Sequence, residues 1–537
     1  MSVRETIARN TGFNALGRVW EALVSLALIA YIVSQIGIAQ YGLWGVIAAF
    51  TGYAALFDLG VGSAYTKYIA EHDARDEKEE ISRIVSTGFF FYALFGAVFV
   101  AIAWPAVDLL LGIVERMGET ASGDLARPEV LADMRFLLRW GLVLFAVSNC
   151  IMPFTSVQTG LQRMGVTNAI SVGVSFVKIG ATLYFLESGY GVRGLLYANA
   201  LVLVVFGMAS VTAAFVLCPS LRLSVFRISR STFKRLFSFG WRTQVSRLSN
   251  LIMFETDVLV ITFILRDLQL AGLYKIGIEL ANKARQVPSA LLTALVPAVS
   301  GLDATNEDEK LQRLYVKSTK YVAALTVPVL AFVAGAAGLL MSAWQGTALE
   351  LGAAVIVLRM MAFGYVANVL PGPGVTVALG TGRPDVQMKA GLISMTSNVV
   401  MTVGLVYTIG FWGVPIATVV SMFLSWGWFT GAMKSLVGIG AKELFAQAIR
   451  WPLVSVLPAF LFCAVADRLS GQLTSRIESL AAVVVVLVVF SVLYLAMLRR
   501  TPFFDAEDLD FFDNTLRLRR VPGYAAWTRA MREGETG

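Results

Sequence analysis

Apolar runs long enough to cross a bilayer recur along this chain from Phe13 to Leu498, and no soluble fold tolerates that pattern. A helix needs about 20 apolar residues to span a hydrocarbon core of about 30 Å. Windows of that kind, interrupted by charges or turn residues, fall at 13–36, 42–65, 86–112, 136–160, 165–187, 192–217 and 237–264. They continue at 269–301, 318–343, 350–378, 387–409, 411–433, 449–468 and 476–498. The pattern predicts an all-α polytopic membrane protein with about 14 transmembrane helices. Composition agrees, since 57% of the 537 residues are hydrophobic and 15% are charged, against about 25% charged in soluble domains.

The net charge of +8 does not point to nucleic acid, because Lys and Arg lie in short connectors rather than along one basic face. They report topology instead. The connector from Cys218 to Gly240 holds Arg222, Arg227, Arg230, Lys234 and Arg235 with no acidic residue, which marks it as cytoplasmic. Arg4, Arg9, the 67–83 and 310–320 connectors and the tail from Arg499 fall on the same side, so both termini are expected in the cytoplasm. Arg4 and Arg9 precede a first apolar run without a cleavage-site pattern, which reads as a retained helix rather than a signal peptide. Cys150, Cys218 and Cys463 are far apart, and His72 stands without a Cys or a second His nearby, so neither a disulfide framework nor a metal site is expected. The tail from Thr501 reads as a solvated segment near lipid headgroups.

The sequence also repeats itself. Gly42-Leu43-Trp44 matches Gly272-Leu273-Tyr274, and Asp73-Ala74 matches Asp303-Ala304, both at a displacement of 230, from 272 − 42 and 303 − 73. Glu77, Glu79 and Arg83 fall on Glu307, Glu309 and Arg313 at the same displacement, and one residue of slack pairs Arg18 with Arg247. Six spans precede a similar six, so the repeats are parallel and related by an axis along the membrane normal. The expected organisation is an N-lobe at 1–217, a basic connector at 218–240, a C-lobe at 241–437, two further spans at 438–500 and a tail at 501–537. A cavity between the two lobes is the expected site.

A charge at a helix centre costs about 2.5–3.5 kcal/mol on insertion scales, so each buried one asks for a partner or water. Arg18, Glu21, Asp58, Lys178, Arg242, Arg247, Glu255, Asp257, Arg285 and Arg359 all lie inside predicted spans. In the eighth span Lys275, Glu279, Asn282, Lys283 and Gln286 recur at helical spacing and fall on one face. That stripe reads either as a salt-bridge ladder or as the wall of a water-filled cavity. The excess of cations favours an anionic substrate, and Arg18, Arg242, Arg247, Lys275 and Lys283 are the candidates to meet a phosphate, for which arginine's planar fork is suited. No cofactor is expected. Glu21, Asp58, Glu255, Asp257 and Glu279 could bind a coupling H+ or Na+, although ion pairing accounts for each individually, and Lys178, Arg359, Asn282 and Gln286 complete the polar lining.

The segment Phe57-Asp58-Leu59-Gly60-Val61-Gly62-Ser63-Ala64, followed by Tyr68-Ile69-Ala70-Glu71, resembles the second-span signature of Wzx-type polysaccharide flippases. Thr256-Asp257-Val258-Leu259-Val260-Ile261, Ala271-Gly272-Leu273-Tyr274 and Leu295-Val296-Pro297-Ala298-Val299-Ser300 are similar to that family's seventh and eighth spans, and Gly413-Val414-Pro415-Ile416-Ala417-Thr418 to its twelfth. The resemblance implies the fold of the multidrug, oligosaccharidyl-lipid and polysaccharide exporters, in a bacterial inner membrane. It also implies outward transfer of an undecaprenyl-diphosphate-linked oligosaccharide without covalent chemistry, alongside a polysaccharide polymerase and chain-length regulator. A cation-coupled drug exporter and a lipid II flippase share that fold. A membrane polysaccharide polymerase or glycosyltransferase is the competing class, and the short outer connectors argue against it.

Overall fold

In a computed structural model of the chain, residues 3–54, 61–118, 127–289, 308–505 and 508 are described, side chains at 3–19, 54, 61, 63, 117–118, 237–247, 250, 308 and 472 excepted. Helices dominate, with no strand among the described residues. The contacts define two compact units, Met1–Lys275 with Val399–Val414, and Ile276–Asn398 with Pro415–Gly537.

The first unit is built from α1 (Val3–Ala54), α2 (Val61–Ala74), α3 (Lys78–Gly118), α4 (Pro128–Gly160), α5 (Met164–Glu187), α6 (Gly191–Leu217) and α7 (Arg230–Val260). The first turns of α8 (Leu268–Ser289) complete it, the unit boundary falling within that helix. The second unit continues α8 and adds α9 (Asp308–Gly335), α10 (Ala337–Gln345), α11 (Gly352–Val369), α12 (Gly372–Gly380) and the start of α13 (Pro384–Ile409), whose residues from Val399 on belong to the first. Then follow α14 (Gly413–Val437), the short α15 (Ala441–Leu444), α16 (Arg450–Leu469) and α17 (Arg476–Arg499). Each of the fourteen expected spans coincides with one or two of these helices where the chain is described. Among the described residues, nine stretches are individually long and apolar enough to cross a membrane, one of them, Pro384–Val437, comprising both α13 and α14. The α8 helix falls outside that set, interrupted by Lys275, Glu279, Lys283 and Arg285.

Each unit has its own apolar core. In the first, Tyr65, Ile69, Ile81, Val85, Tyr92 and Phe154 interlock α2, α3 and α4. In the second, Tyr315, Leu370, Val377, Phe429 and Met433 join α9, α12 and α14. Opposite faces stay open, as at Leu94, Ile102 and Leu109 of α3 and Val484, Val488 and Val492 of α17. In a chain of this composition those faces meet hydrocarbon, so their exposure carries no penalty.

Two features position the rest. Within α1 two helices, carrying the first span and the start of the second, meet at a break at Gly37, whose φ of 78° and ψ of 169° lie where a side chain is strained. Beyond that break α1 crosses α8 at very close range. A Cβ on Gly42 would stand 2.1 Å from the Leu268 carbonyl oxygen, and one on Gly272 would stand 2.1 Å from the Ile38 carbonyl oxygen. Both pairs are repeat equivalents, at 272 − 42 and 268 − 38, so the contact is reciprocal in the manner of a two-fold interface. The α8 helix is started there by Asp267, whose Oδ1 accepts the Leu270 N–H at 2.8 Å.

Candidate functional site

A cavity of about 740 Å³ opens within the first unit, between α1, α4, α5 and α6. That is within the range of about 300–1,000 Å³ typical of small-molecule sites. Its wall alternates aromatic and polar groups. Trp20 and Trp44 of α1, Phe145 of α4 and Phe206 of α6 supply flat apolar faces, while Asn168, Ser171, Ser175 and Lys178 of α5 and Asn199 of α6 supply hydrogen-bonding groups. Trp20 is held in place, since its indole Nε1–H donates to Ser175 Oγ at 2.7 Å and its ring meets Phe176 at 5.4 Å. The α5 residues lie at i, i+3, i+7 and i+10, on one face of the helix.

Glu21 and Lys178, both expected as lining charges, stand in this same wall and are exposed to it. Among the described residues, neither they nor Ser171 and Asn199 hydrogen-bond or ion-pair with the protein. A polar group without a protein partner is satisfied by water or by a ligand, so these four can exchange water for the hydroxyls of a polyol. The neutral members were missed by a reading that, outside the eighth span, counted only charges. The stripe on α5 was the available signal.

A second polar cluster lies where α1, α7 and α8 meet. The Lys275 ammonium is 3.8 Å from Glu255 Oε2, and the lysine stem lies on Gly45, its Cγ 3.6 Å from where a Cβ would be. Gly45 is the repeat equivalent of Lys275, at 275 − 45, so the small residue in one repeat makes room for the charge in the other. Asp257 is fully buried and accepts a short hydrogen bond from the Tyr274 hydroxyl. The residues expected on one face of α8 share their exposure: Lys275, Glu279, Asn282 and Lys283 are half-buried and Gln286 is exposed, whereas Ala271, Tyr274, Ile278 and Ala281 are buried.

In the second unit that stripe divides. The Tyr365 hydroxyl donates to Asn282 Oδ1 at 2.7 Å, Arg285 donates to Asn368 Oδ1 at 2.7 Å, and the guanidinium lies 4.9 Å from the Tyr365 ring centre. Asn282 is thus a packing partner of α11. Lys283 forms no ion pair among the described residues. Arg359 pairs with Asp467 of α16 at 2.6 Å, and Asp467 also accepts the Leu339 N–H at 2.6 Å. That pair fastens α10, α11 and α16 together, a structural role. Asp58 and the side chains of Arg18, Arg242 and Arg247 lie outside the described residues.

Comparison with known proteins gives the site its context. The model of the family described as polysaccharide biosynthesis protein matches residues 7–303. A putative O-antigen transporter of Shigella flexneri is 23% identical over 374 residues, covering 68% of this chain and 82% of that protein. The probable flippase AglR of Haloferax volcanii is 20% identical over 426 residues, covering 78% and 81%. Among solved structures, the lipid II flippase MurJ in an inward closed conformation superposes with a TM-score of 0.61 at 13% identity, over 92% of this chain and all of that one. That likeness concerns the fold. With more than half of its length matched, the chain belongs to the polysaccharide biosynthesis protein family, and is a multi-pass membrane transporter of the flippase and exporter type.

Proposed function

We propose that this transporter carries undecaprenyl-diphosphate-linked oligosaccharide units, such as an O-antigen, capsule or exopolysaccharide repeat, from the cytoplasmic to the periplasmic leaflet of a bacterial inner membrane. The observation that carries the reading is the cavity of α1, α4, α5 and α6, where aromatic faces stand beside Glu21, Ser171, Lys178 and Asn199. Pyranose rings present C–H faces to aromatics and hydroxyls to amides and charges, and this wall offers both. The lipid tail stays in the bilayer, so the cavity has only the headgroup to accommodate. The diphosphate is assigned to Arg18, Arg242, Arg247, Lys275 and Lys283, because a cationic set selects an anion.

Translocation proceeds by alternating access of two lobes, 1–217 and 241–437, with no bond made or broken. An inside-negative potential drives the anionic headgroup outward, by about 2.3 kcal/mol per charge for each 100 mV. In the topology set by the basic connectors, the Gly42–Gly272 crossing lies at the outer end of its helices. Flipping of a lipid-linked oligosaccharide in proteoliposomes tests the reading, comparing the parent with Asn199→Ala, Lys178→Ala, Arg18→Ala and Arg247→Ala. Loss of flipping is expected in the arginine variants, and a weaker apparent affinity in the cavity variants. Undiminished flipping in all four, or efflux of a cationic dye by the parent without sugar-lipid transfer, overturns it.

A further inference from the structure

The segment between α6 and α7 is not a slack connector. Three buried hydroxyls near the start of α3 stitch its backbone in place. Ser82 Oγ accepts the Arg222 N–H at 3.2 Å, Ser86 Oγ accepts the Ser224 N–H at 3.3 Å and donates to the Arg222 carbonyl at 3.2 Å, and Thr87 Oγ1 accepts the Ser229 N–H at 3.2 Å. Ser82 and Ser86 are fully buried, Thr87 nearly so, and Leu221 plugs into the core beneath them. A short 3-10 turn, Val225–Arg227, is capped by Ser224.

Fixing the backbone against α3 dictates where the side chains go. Phe226 is 96% exposed, and Leu223, Val225 and Ile228 are exposed beside it. Such a row is costly in water, and nothing in the sequence requires it for a solvated loop. Its height supplies the reason. Ser86 and Thr87 stand where the apolar stretch of α3 begins, about 12 Å along the helix from Lys78 at 1.5 Å per residue. The row therefore sits at the level of the headgroup and acyl boundary.

The charges around it are one-sided. Arg227 is 3.9 Å from Glu79 and Arg235 is 3.2 Å from Glu71, which accounts for those two. Arg222, Arg230 and Lys234 are exposed and form no ion pair among the described residues. Beside them an open depression is lined by Glu79, Arg83, Phe226, Arg227, Arg230 and the Ser229 and Ser231 hydroxyls. Apolar side chains flanked by unpaired cations are the composition of an interfacial anchor.

We infer that residues 219–235 form an interfacial anchor that inserts Val225, Phe226 and Ile228 into the acyl boundary and holds anionic glycerophospholipid headgroups with Arg222, Arg230 and Lys234. The site is separate from the transport cavity. It ties the segment that joins the two repeats to one leaflet, on the cytoplasmic side in the proposed topology, and makes its position depend on surface charge.

The test uses full-length protein reconstituted in vesicles of phosphatidylcholine alone or with phosphatidylglycerol. A nitroxide is attached at Phe226→Cys, and its access to oxygen and to a water-soluble nickel chelate is read by power saturation. The parent, whose Cys218 and Cys463 are buried and Cys150 half-buried, supplies the labelling blank. Asp76→Cys, at a side chain 88% exposed in the α2–α3 turn, supplies the water-exposed reference. The expected result is an oxygen-preferring label at 226 that moves deeper with phosphatidylglycerol. Arg222→Gln, Arg230→Gln and Lys234→Gln combined should abolish that dependence while the label stays oxygen-preferring. Nickel access at 226 equal to that at 76, or a depth indifferent to phosphatidylglycerol in the parent background, overturns the inference.

Discussion

The crossing of α1 and α8 makes a prediction whose size follows from its geometry. Alanine at position 42 puts a carbon 2.1 Å from the Leu268 carbonyl oxygen, about 1.3 Å inside the 3.4 Å at which ordinary contact begins, and alanine at 272 does the same against Ile38. The obstacle is backbone on both sides, so no rotamer change relieves it and the helices must part. Overpacking of that kind costs about 1–3 kcal/mol. Gly45→Ala is the control, three residues along the same helix, where the nearest atom is Lys275 Cγ at 3.6 Å. There the methyl fits, and helix propensity stabilises by up to about 1 kcal/mol. Because Gly42 and Gly272 face one crossing, helices parted by the first alanine already admit the second. The double variant should therefore cost less than the two singles together, by about 0.5–3 kcal/mol. Unfolding in mixed detergent micelles, followed by tryptophan fluorescence, gives all four differences. The reasoning is refuted if Gly42→Ala is no worse than Gly45→Ala, or if the two crossing substitutions add.

Three further predictions concern the second unit. Lys320 is 7% exposed and pairs with the fully buried Asp508 and, at 3.2 Å, with Asp505, clasping the start of the tail to α9. Lys320→Met leaves Asp508 buried without its cation, at a cost of about 3–5 kcal/mol, so proteolysis of the tail should accelerate at least tenfold, and an unchanged rate would count against the clasp. Burial pushes the Asp505 carboxyl up, but the Asp508 N–H and Lys320 outweigh it and hold it below the usual carboxylate range. Its folded value lies below its unfolded one, so its contribution is complete above pH about 4 and is lost as acid approaches the folded value. Tail cleavage should then be flat through neutral pH and rise only under acid, and a rise near pH 6 would point to another group. Asp467→Ala should destabilise by about 1–3 kcal/mol because it orphans the Leu339 N–H. Arg359→Ala should destabilise more, by about 3–5 kcal/mol, because it leaves the Asp467 carboxylate, 4% exposed, without its cation, and thermal stability of the two variants in detergent distinguishes them.

The helices were legible because a bilayer leaves the backbone one solution, and an apolar run of sufficient length announces it. The repeat was legible too, and its displacement proved to be a contact rule, pairing Gly42 with Gly272 and Lys275 with Gly45. Charge was a weaker guide to the site. Glu21 and Lys178 were found because a charge in an apolar span needs an explanation, yet the same test also selected Arg359, which fastens helices. What separates them is a partner brought in from far along the chain, Asp467, which no local pattern reveals. The tail shows the same limit. Its acidic start at Asp505 and Asp508 reads as solvated until Lys320, nearly two hundred residues earlier, is brought against it. Neutral residues posed the opposite difficulty, because Ser171 and Asn199 cost little in a span and raise no alarm one at a time. Only the register of Ser171 with Asn168 and Lys178 on α5, and the cavity they share with Asn199 and Trp20, gives them a common surface. A candidate site in a membrane protein is therefore better sought as a helical stripe of small polar residues beside aromatics than as a list of buried charges, and the charges are better assigned only after their partners are known.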